Sequence, residues 1–504
     1  MVRIGQIGQR IKKWWKITDP VNWLLLVVAV GFCAYPLTDP DFGWQLRSGL
    51  DLLKTHQLPQ FDPYSHTLPN WHWVNLEWLS EGTIAFIYQH LGAASLIFAF
   101  ALMAVAMLII AASWSTGVSL KAKLAVAVLA VLANVGRWGV RLQLITQLGL
   151  AIVLWLFSRY RIGAIKHLWW YIPLFWLWAN LHGGFFSGLA VLGLLWVVEG
   201  IKWLNRPRHR HTVSSRITEP TLQLPQLRHL MVVGLLSGAA TLINPYGWRI
   251  YEDIYRLFST SFVLKAIAEW KPFSISESGN YFLWLYFCLL IIAMIFTYRK
   301  VEPTRWVVTI FFFIMMITAN RNLALFLLIS SGFFAEAING PMKWLTYRLI
   351  RLRWLAVAIT VGGFYWVTPS ILRFTETADD IKTISQIGRY PLSAIEWAKA
   401  HPDQIGDRLF NMYGQGGFLL WQLPEKKIFI DGRMSYWQID NRWVFRDSIA
   451  INGAYPGAVQ MMEEKYQVDW VLVDPRIKLA LELSQRPDWQ LVYQDSLAVI
   501  YTKK

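Results

Sequence analysis

At 504 residues, 55% hydrophobic and only 16% charged, the chain is too apolar for an ordinary soluble enzyme and has the composition of a polytopic membrane protein. Its formal charge of +16 does not point to nucleic acid, because the basic excess lies in short segments between apolar runs and no nucleic-acid-binding motif occurs. The only two cysteines, Cys33 and Cys288, lie in apolar segments, which argues against a disulfide framework or a cysteine-ligated metal.

The N-terminal stretch MVRIGQIGQRIKKWWKITDP is basic and lacks a small-residue cleavage site, so it reads as an uncleaved anchor. Apolar runs of membrane length follow at 21–37, 93–113, 122–136, 142–158, 168–181, 184–200, 230–245, 281–298, 306–320, 322–339 and 354–369, about eleven spans. With the N-terminus inside, every inside segment is basic. Lys121 and Lys123 come first, then Arg159, Arg161 and Lys166, then the stretch from Lys202 to Arg228. Arg299, Lys300 and Arg305 follow, and finally Lys343, Arg348, Arg351 and Arg353. The positive-inside rule therefore places 38–92, 246–280, the turns at Arg137–Arg141, Asn180–Gly184 and Asn320–Arg321, and everything after about 370 outside.

From about residue 380 the composition becomes that of a soluble domain. PLSAIEWAKAHP and MMEEKYQ read as helices; KKIFIDGR, VDWVLVDP and QLVYQDSLAVIYTKK read as strands. The expected architecture is a mainly α, polytopic transmembrane helical bundle over 1–370, with a first extracytoplasmic loop at 38–92. A small extracytoplasmic α/β domain occupies 371–504.

The first outer loop is the richest polar region outside: TDPDFGWQLRSG, QFDPYSHTLP and NWHWVNLEWLSEG. Asp51 and Asp62 read as turn or capping residues. Asp39 and Asp41 sit at the lip of the bilayer, where a carboxylate is costly unless something uses it. Asn75 is a candidate N-cap, which puts Glu77 in the first helical turn and Glu81 on the same face. A second outer set comprises Arg137 and Arg141, four apart, with His182 before a glycine pair and Arg321 at a span end. Such cations pair with a phosphate or, alternatively, with the loop acids. In the soluble domain, NMYGQGGFLLWQLPEKKIFIDGR offers Tyr413 in a glycine-rich turn and Asp431-Gly432-Arg433 after a strand; plain turns are the alternative reading.

The stretches DPDFGWQLRSG, LPQFDPYSHT, EWLSE, RLQLITQ, ANLHGGF, INPYGWR and YGQGGFLLWQLPEKKIFIDGR together resemble GT-C type membrane glycosyltransferases, from about residue 20 to the C-terminus. The similarity is to a poorly characterised bacterial subgroup and, distantly, to the catalytic subunits of oligosaccharyltransferases and protein mannosyltransferases. It implies a GT-C fold in a bacterial cytoplasmic (inner) membrane, a polyprenyl-phosphate-linked sugar donor, and an acid of the first outer loop in catalysis. Carried onto this chain, Asp41 is the first choice for the base and Asp39 its partner or substitute, with Glu77 a further catalytic candidate. Arg137, Arg141, His182 and Arg321 are the donor-phosphate candidates. Trp44, Arg47, Tyr413, Asp431 and Arg433 are the candidates for binding acceptor or substrate. Some GT-C enzymes use a divalent cation, so Asp39 and Asp41 are also candidate ligands for Mg2+ or Mn2+. The WWDYG acceptor motif is incomplete, since Asn411-Met412 precedes Tyr413-Gly414. The partners implied are the lipid-linked donor and membrane lipids, with no nucleic acid. Competing readings are a lipid-linked sugar flippase or transporter, and a non-catalytic glycan-binding scaffold of the envelope.

Overall fold

A computed structural model describes residues 19–206, 220–274, 280–298, 301–349, 378, 380–440 and 442–504. The expected span at 354–369 and the basic residues 1–18 lie outside them. The chain divides into two compact units: Met1–Tyr35, Ile97–Gly247 and Lys265–Thr375 form one, and Pro36–Leu96, Trp248–Leu264 and Glu376–Lys504 form the other.

The first unit is helical. Its ends are set by local chemistry: Asp19 accepts from Val21 N–H ahead of Pro20–Cys33, and Ser119 accepts from Ala122 N–H ahead of Leu120–Ala133. Asn280 and Glu302 do the same for Tyr281–Thr297 and Pro303–Thr318. Among the described residues, three helices are long and apolar enough to cross a membrane: Trp78–Ala112, Phe185–Leu204 and Asn320–Lys343. The sequence predicts about eleven spans. Helices occupy the other predicted spans that fall within the described residues, but Pro20–Cys33, Tyr281–Thr297 and Pro303–Thr318 are only 14, 17 and 16 residues long. At about 1.5 Å per residue these fall short of a hydrocarbon core of about 30 Å.

Trp78–Ala112 is broken at Gly92, whose backbone (φ 77°, ψ 170°) is non-helical. The apolar stretch after the break has the length of one crossing, and the residues ahead of it form a separate helix that carries Glu81. At one end of the helical unit, buried ions neutralise one another. Arg161 meets Glu302 at 2.5 Å and Glu199 at 3.5 Å; Lys202 meets Glu199 at 2.7 Å and also Glu302. Arg305 pairs with Glu336 at 3.0 Å and donates to Trp114 O at 3.1 Å.

The second unit holds a four-stranded sheet in the order β1-β2-β4-β3, with β1 Leu409–Asn411, β2 Trp470–Val473, β3 Trp489–Gln494 and β4 Val499–Lys503. β1 and β2 are parallel; β4 runs antiparallel to β2 and β3. VDWVLVDP forms β2, and QLVYQDSLAVIYTKK folds into the β3–β4 hairpin. KKIFIDGR is not a strand. Its backbone is taken up by a side chain instead, since Phe429 N–H donates to Asn411 Oδ1 at 2.8 Å and Asn411 Nδ2 donates to Ile430 O at 2.8 Å. The same segment receives residues 64–67: His66 N–H bonds Ile428 O, Ile428 N–H bonds Tyr64 O, and Thr67 Oγ1 donates to Phe429 O. These bonds explain why residues 36–96 belong to the unit of the C-terminal domain, whereas the sequence groups 38–92 with the spans. Trp248–Leu264 joins them too, anchored where Tyr436 Oη donates to Asp253 Oδ2 at 2.6 Å.

Candidate functional site

Within the second unit, DPDFGWQLRSG folds by its own chemistry. Asp39 Oδ1 accepts from Asp41 N–H at 2.9 Å across Pro40, and helix Phe42–Thr55 starts immediately afterwards. Asp41 does not cap that helix with its side chain; its Oδ1 accepts instead from Trp44 Nε1 at 3.0 Å. Both carboxylates stay half-buried. Glycines let other backbone press against this corner. A Cβ on Gly43 would lie 2.0 Å from Gly417 O, and one on Gly432 would lie 1.9 Å from Asp41 Oδ1. The DPD motif, the Tyr413 turn and the Asp431-Gly432-Arg433 turn are thereby brought to one place. Tyr413 Oη donates to Gly432 O at 3.1 Å.

Arg433 is the centre of that place. Its Nη1 meets Asp62 Oδ1 at 3.0 Å and its Nη2 meets Asp431 Oδ2 at 2.6 Å, with all three side chains buried. The guanidinium carbon lies 4.6 Å from the Trp73 ring centre, 5.0 Å from Tyr64, 5.3 Å from Trp437 and 5.7 Å from Trp44. Burial opposes the Arg433 charge, but Asp431 and Asp62 outweigh it and raise its pKa. Burial likewise pushes the Asp431 carboxyl up, against the pull of Arg433. Asp62 also accepts from Tyr64 and Ser65 N–H, so its turn role is present together with an ion pair that the sequence reading did not foresee. Arg47 faces Asp51 at 2.9 Å, and Tyr64 Oη donates to the same carboxylate at 2.9 Å.

Behind Asp41 lie two more acids. Asn75 Oδ1 accepts from Glu77 N–H at 2.9 Å, as an N-cap does, and Gln45 Nε2 donates to Glu77 Oε2 at 3.0 Å. Glu81 is fully buried; Ser48 Oγ and Asn75 Nδ2 each donate to its Oε2 at 2.6 Å, and its Oε1 is enclosed with no hydrogen-bond partner. Desolvation, then Glu81, Asp41 and Asp39, hold the Glu77 carboxyl well above the usual range, although part of the side chain remains exposed. Burial raises Glu81 to about 7, against its two donors.

The raised Glu81 value has a measurable consequence. The folded protein keeps that proton at pH values where the unfolded chain releases it, so this group's contribution to stability falls as pH rises from about 4.5 through about 7. Glu81→Gln keeps the shape and removes the titration. The variant is expected to gain up to about 3 kcal/mol over the parent between pH 5 and pH 8. Melting temperatures across that range check it, and parallel curves for the two proteins would assign the pH dependence elsewhere.

The cationic candidates lie in the helical unit. Arg137 Nη1 donates to Asn320 Oδ1 at 3.2 Å, Arg141 pairs with Glu269 at 3.2 Å, and Arg321 stacks 4.1 Å over Trp270. A backbone bond from Asn320 N–H to Lys271 O at 2.9 Å joins the two segments that carry these partners. Arg141 thus takes Glu269 rather than an acid of the first loop, Arg137 feels the same carboxylate, and Arg321 lies over the adjacent Trp270. His182 Nδ1 lies 2.9 Å from Gly184 N, whose N–H donates to it, and 2.8 Å from Thr146 Oγ1. Its proton therefore sits on Nε2. Burial, with Arg321 nearby, lowers its pKa to about 3, so it acts as a neutral donor and not as a third kind of cation.

Glu269, Trp270 and Trp73 are not site residues by sequence, and their roles come from contacts distant in the chain, whereas Asn75 and Trp437 act on near neighbours. Among the described residues, no group of three or more His, Cys, Asp or Glu side chains has the arrangement to hold a metal ion. No step below passes through a metal. No protein-family model matches the chain, and no curated protein matches it.

Proposed function

We propose that the chain is a GT-C-like polytopic glycosyltransferase of the bacterial cytoplasmic membrane, with its C-terminal domain outside. It would transfer a sugar from a polyprenyl-phosphate donor to an extracytoplasmic glycan, lipid or protein. The observation that carries this reading is the half-buried Asp41 carboxylate, oriented by the Trp44 indole and walled by Gly432 beside the Tyr413 turn. Glu77 and Glu81, whose carboxyls burial pushes up, lie behind it. Asp41 takes the proton from the acceptor hydroxyl or amide as that atom bonds the anomeric carbon. The bond from that carbon to the phosphate oxygen breaks, and the phosphate leaves with the electron pair, inverting the centre. Arg137, Arg141 and Arg321, with the His182 Nε2 proton, are the groups proposed to hold a lipid phosphate. Tyr413, Trp44 and the Arg433 assembly belong to the acceptor side. Arg433 is too enclosed by Asp62, Asp431 and four rings to be a flexible binding group, and acts by fixing the wall behind Asp41.

Incubating the purified chain with a panel of polyprenyl-phosphate sugars, followed by mass spectrometry of lipids and glycans, tests the reading. Release of polyprenyl phosphate and a glycosylated product is the expected result. Donor carried across a vesicle bilayer with no glycosidic product would favour a transporter. Glycan binding without turnover, unchanged when Asp39 and Asp41 are both replaced, would favour a scaffold.

A further inference from the structure

Several cations of the helical unit are matched by an acid. Lys121 has Asp19, Arg161 and Lys202 share Glu199 and Glu302, and Arg305 has Glu336. Two are not. Lys123 Nζ donates to Ser113 Oγ at 2.7 Å, and Arg159 Nη2 donates to Ser113 O at 3.4 Å. Two half-buried cations converge on one residue, and among the described residues neither is in contact with a carboxylate.

Local dipoles do not neutralise them. Ser113 follows the C-terminus of Trp78–Ala112, which offers about half a negative charge, too little for two cations. Lys123 lies in the first turns of Leu120–Ala133, where the helix dipole is itself positive. Arg159 lies 5.9 Å over the Trp155 ring, which supports the guanidinium plane. Two like charges held together at a helix-bundle end form an arrangement that an oxyanion completes.

We propose that Lys123 and Arg159 form a binding site for a phosphate-bearing anion at the end of Leu120–Ala133 opposite Arg137. The chemistry is a phosphate oxygen pair bridging the Lys123 ammonium and the Arg159 guanidinium, supplied by an anionic phospholipid headgroup or by soluble phosphate. Basic pockets between membrane helices take such headgroups. The proposal uses none of the residues assigned to sugar transfer, so it stands or falls separately from that reading.

The test is thermal unfolding of the full chain in neutral detergent, with phosphatidylglycerol, phosphatidylcholine or inorganic phosphate added. The parent protein is expected to melt several degrees higher with phosphatidylglycerol than with phosphatidylcholine. The Lys123→Gln/Arg159→Gln double variant should lose that shift. Without lipid it should melt no lower than the parent, because the repulsion is gone. Arg159→Lys, which keeps the cation, should retain most of the shift, as should Arg206→Gln, which removes an exposed charge elsewhere. An equal shift from inorganic phosphate, lost in the double variant, would assign the site to soluble phosphate; a shift from lipid alone assigns it to the headgroup. A full phosphatidylglycerol shift in the double variant would overturn the proposal. So would a double variant that melts lower without lipid while the parent shows no lipid preference, since the two cations would then merely cap the helix.

Discussion

Arg433→Met is expected to be the most damaging single substitution in the second unit. The guanidinium answers two buried carboxylates, Asp62 and Asp431, and fills the space between Trp44, Tyr64, Trp73 and Trp437. Removing it leaves uncompensated buried charge, which costs about 3–5 kcal/mol when one partner of such a pair is deleted. Methionine retains much of the packing, so the loss reports charge more than volume. Adding Asp62→Asn and Asp431→Asn to the Arg433→Met variant should recover most of it. Amides still accept the backbone N–H groups of Tyr64, Ser65 and Arg433 that these side chains hold. Thermal unfolding checks the series. If the triple variant is no more stable than Arg433→Met alone, the damage comes from lost ring contacts. Arg433→Lys should rescue poorly, since an ammonium cannot make the bidentate contact with Asp431.

The second large effect is on turnover. Asp41→Asn keeps an acceptor for the Trp44 indole and leaves Gly432 room, so the corner should fold as before. What it would lose is the proposed base, and general-base removal typically costs about 10²–10⁴ in rate. Product formation should fall by that factor while melting temperature and expression stay at parental values. Activity like the parent's would remove Asp41 from the mechanism. Asp39→Asn sets the comparison: Asp39 spends an oxygen on Asp41 N–H, so a positioning role predicts a smaller loss than at Asp41.

Much of the local structure is legible from the sequence because it depends on neighbours in the chain. The helix breaks at Gly92, Asn75 caps the turn containing Glu77, and VDWVLVDP is a strand because its apolar run ends in Asp-Pro. These follow from backbone preference and short-range hydrogen bonding. KKIFIDGR shows the limit of that logic. It has the composition of a strand, but its polar backbone atoms are satisfied by the Asn411 side chain and by residues 64–67, far away in sequence.

Composition and charge spacing by themselves determined the apolar character of the helices, the clustering of acids in DPDFGWQLRSG, and which glycines adjoin Tyr413 and Asp431. Only the tertiary structure decided how those pieces are used. It put residues 36–96 with the C-terminal domain, made Asp62 a counter-ion as well as a turn residue, and gave Arg141 to Glu269. It also left Lys123 and Arg159 together at Ser113. The reason is physical: a capping bond or an apolar run is fixed within a few residues. The state of a buried charge depends on every dipole and ion packed around it, and the chain brings those together only by folding.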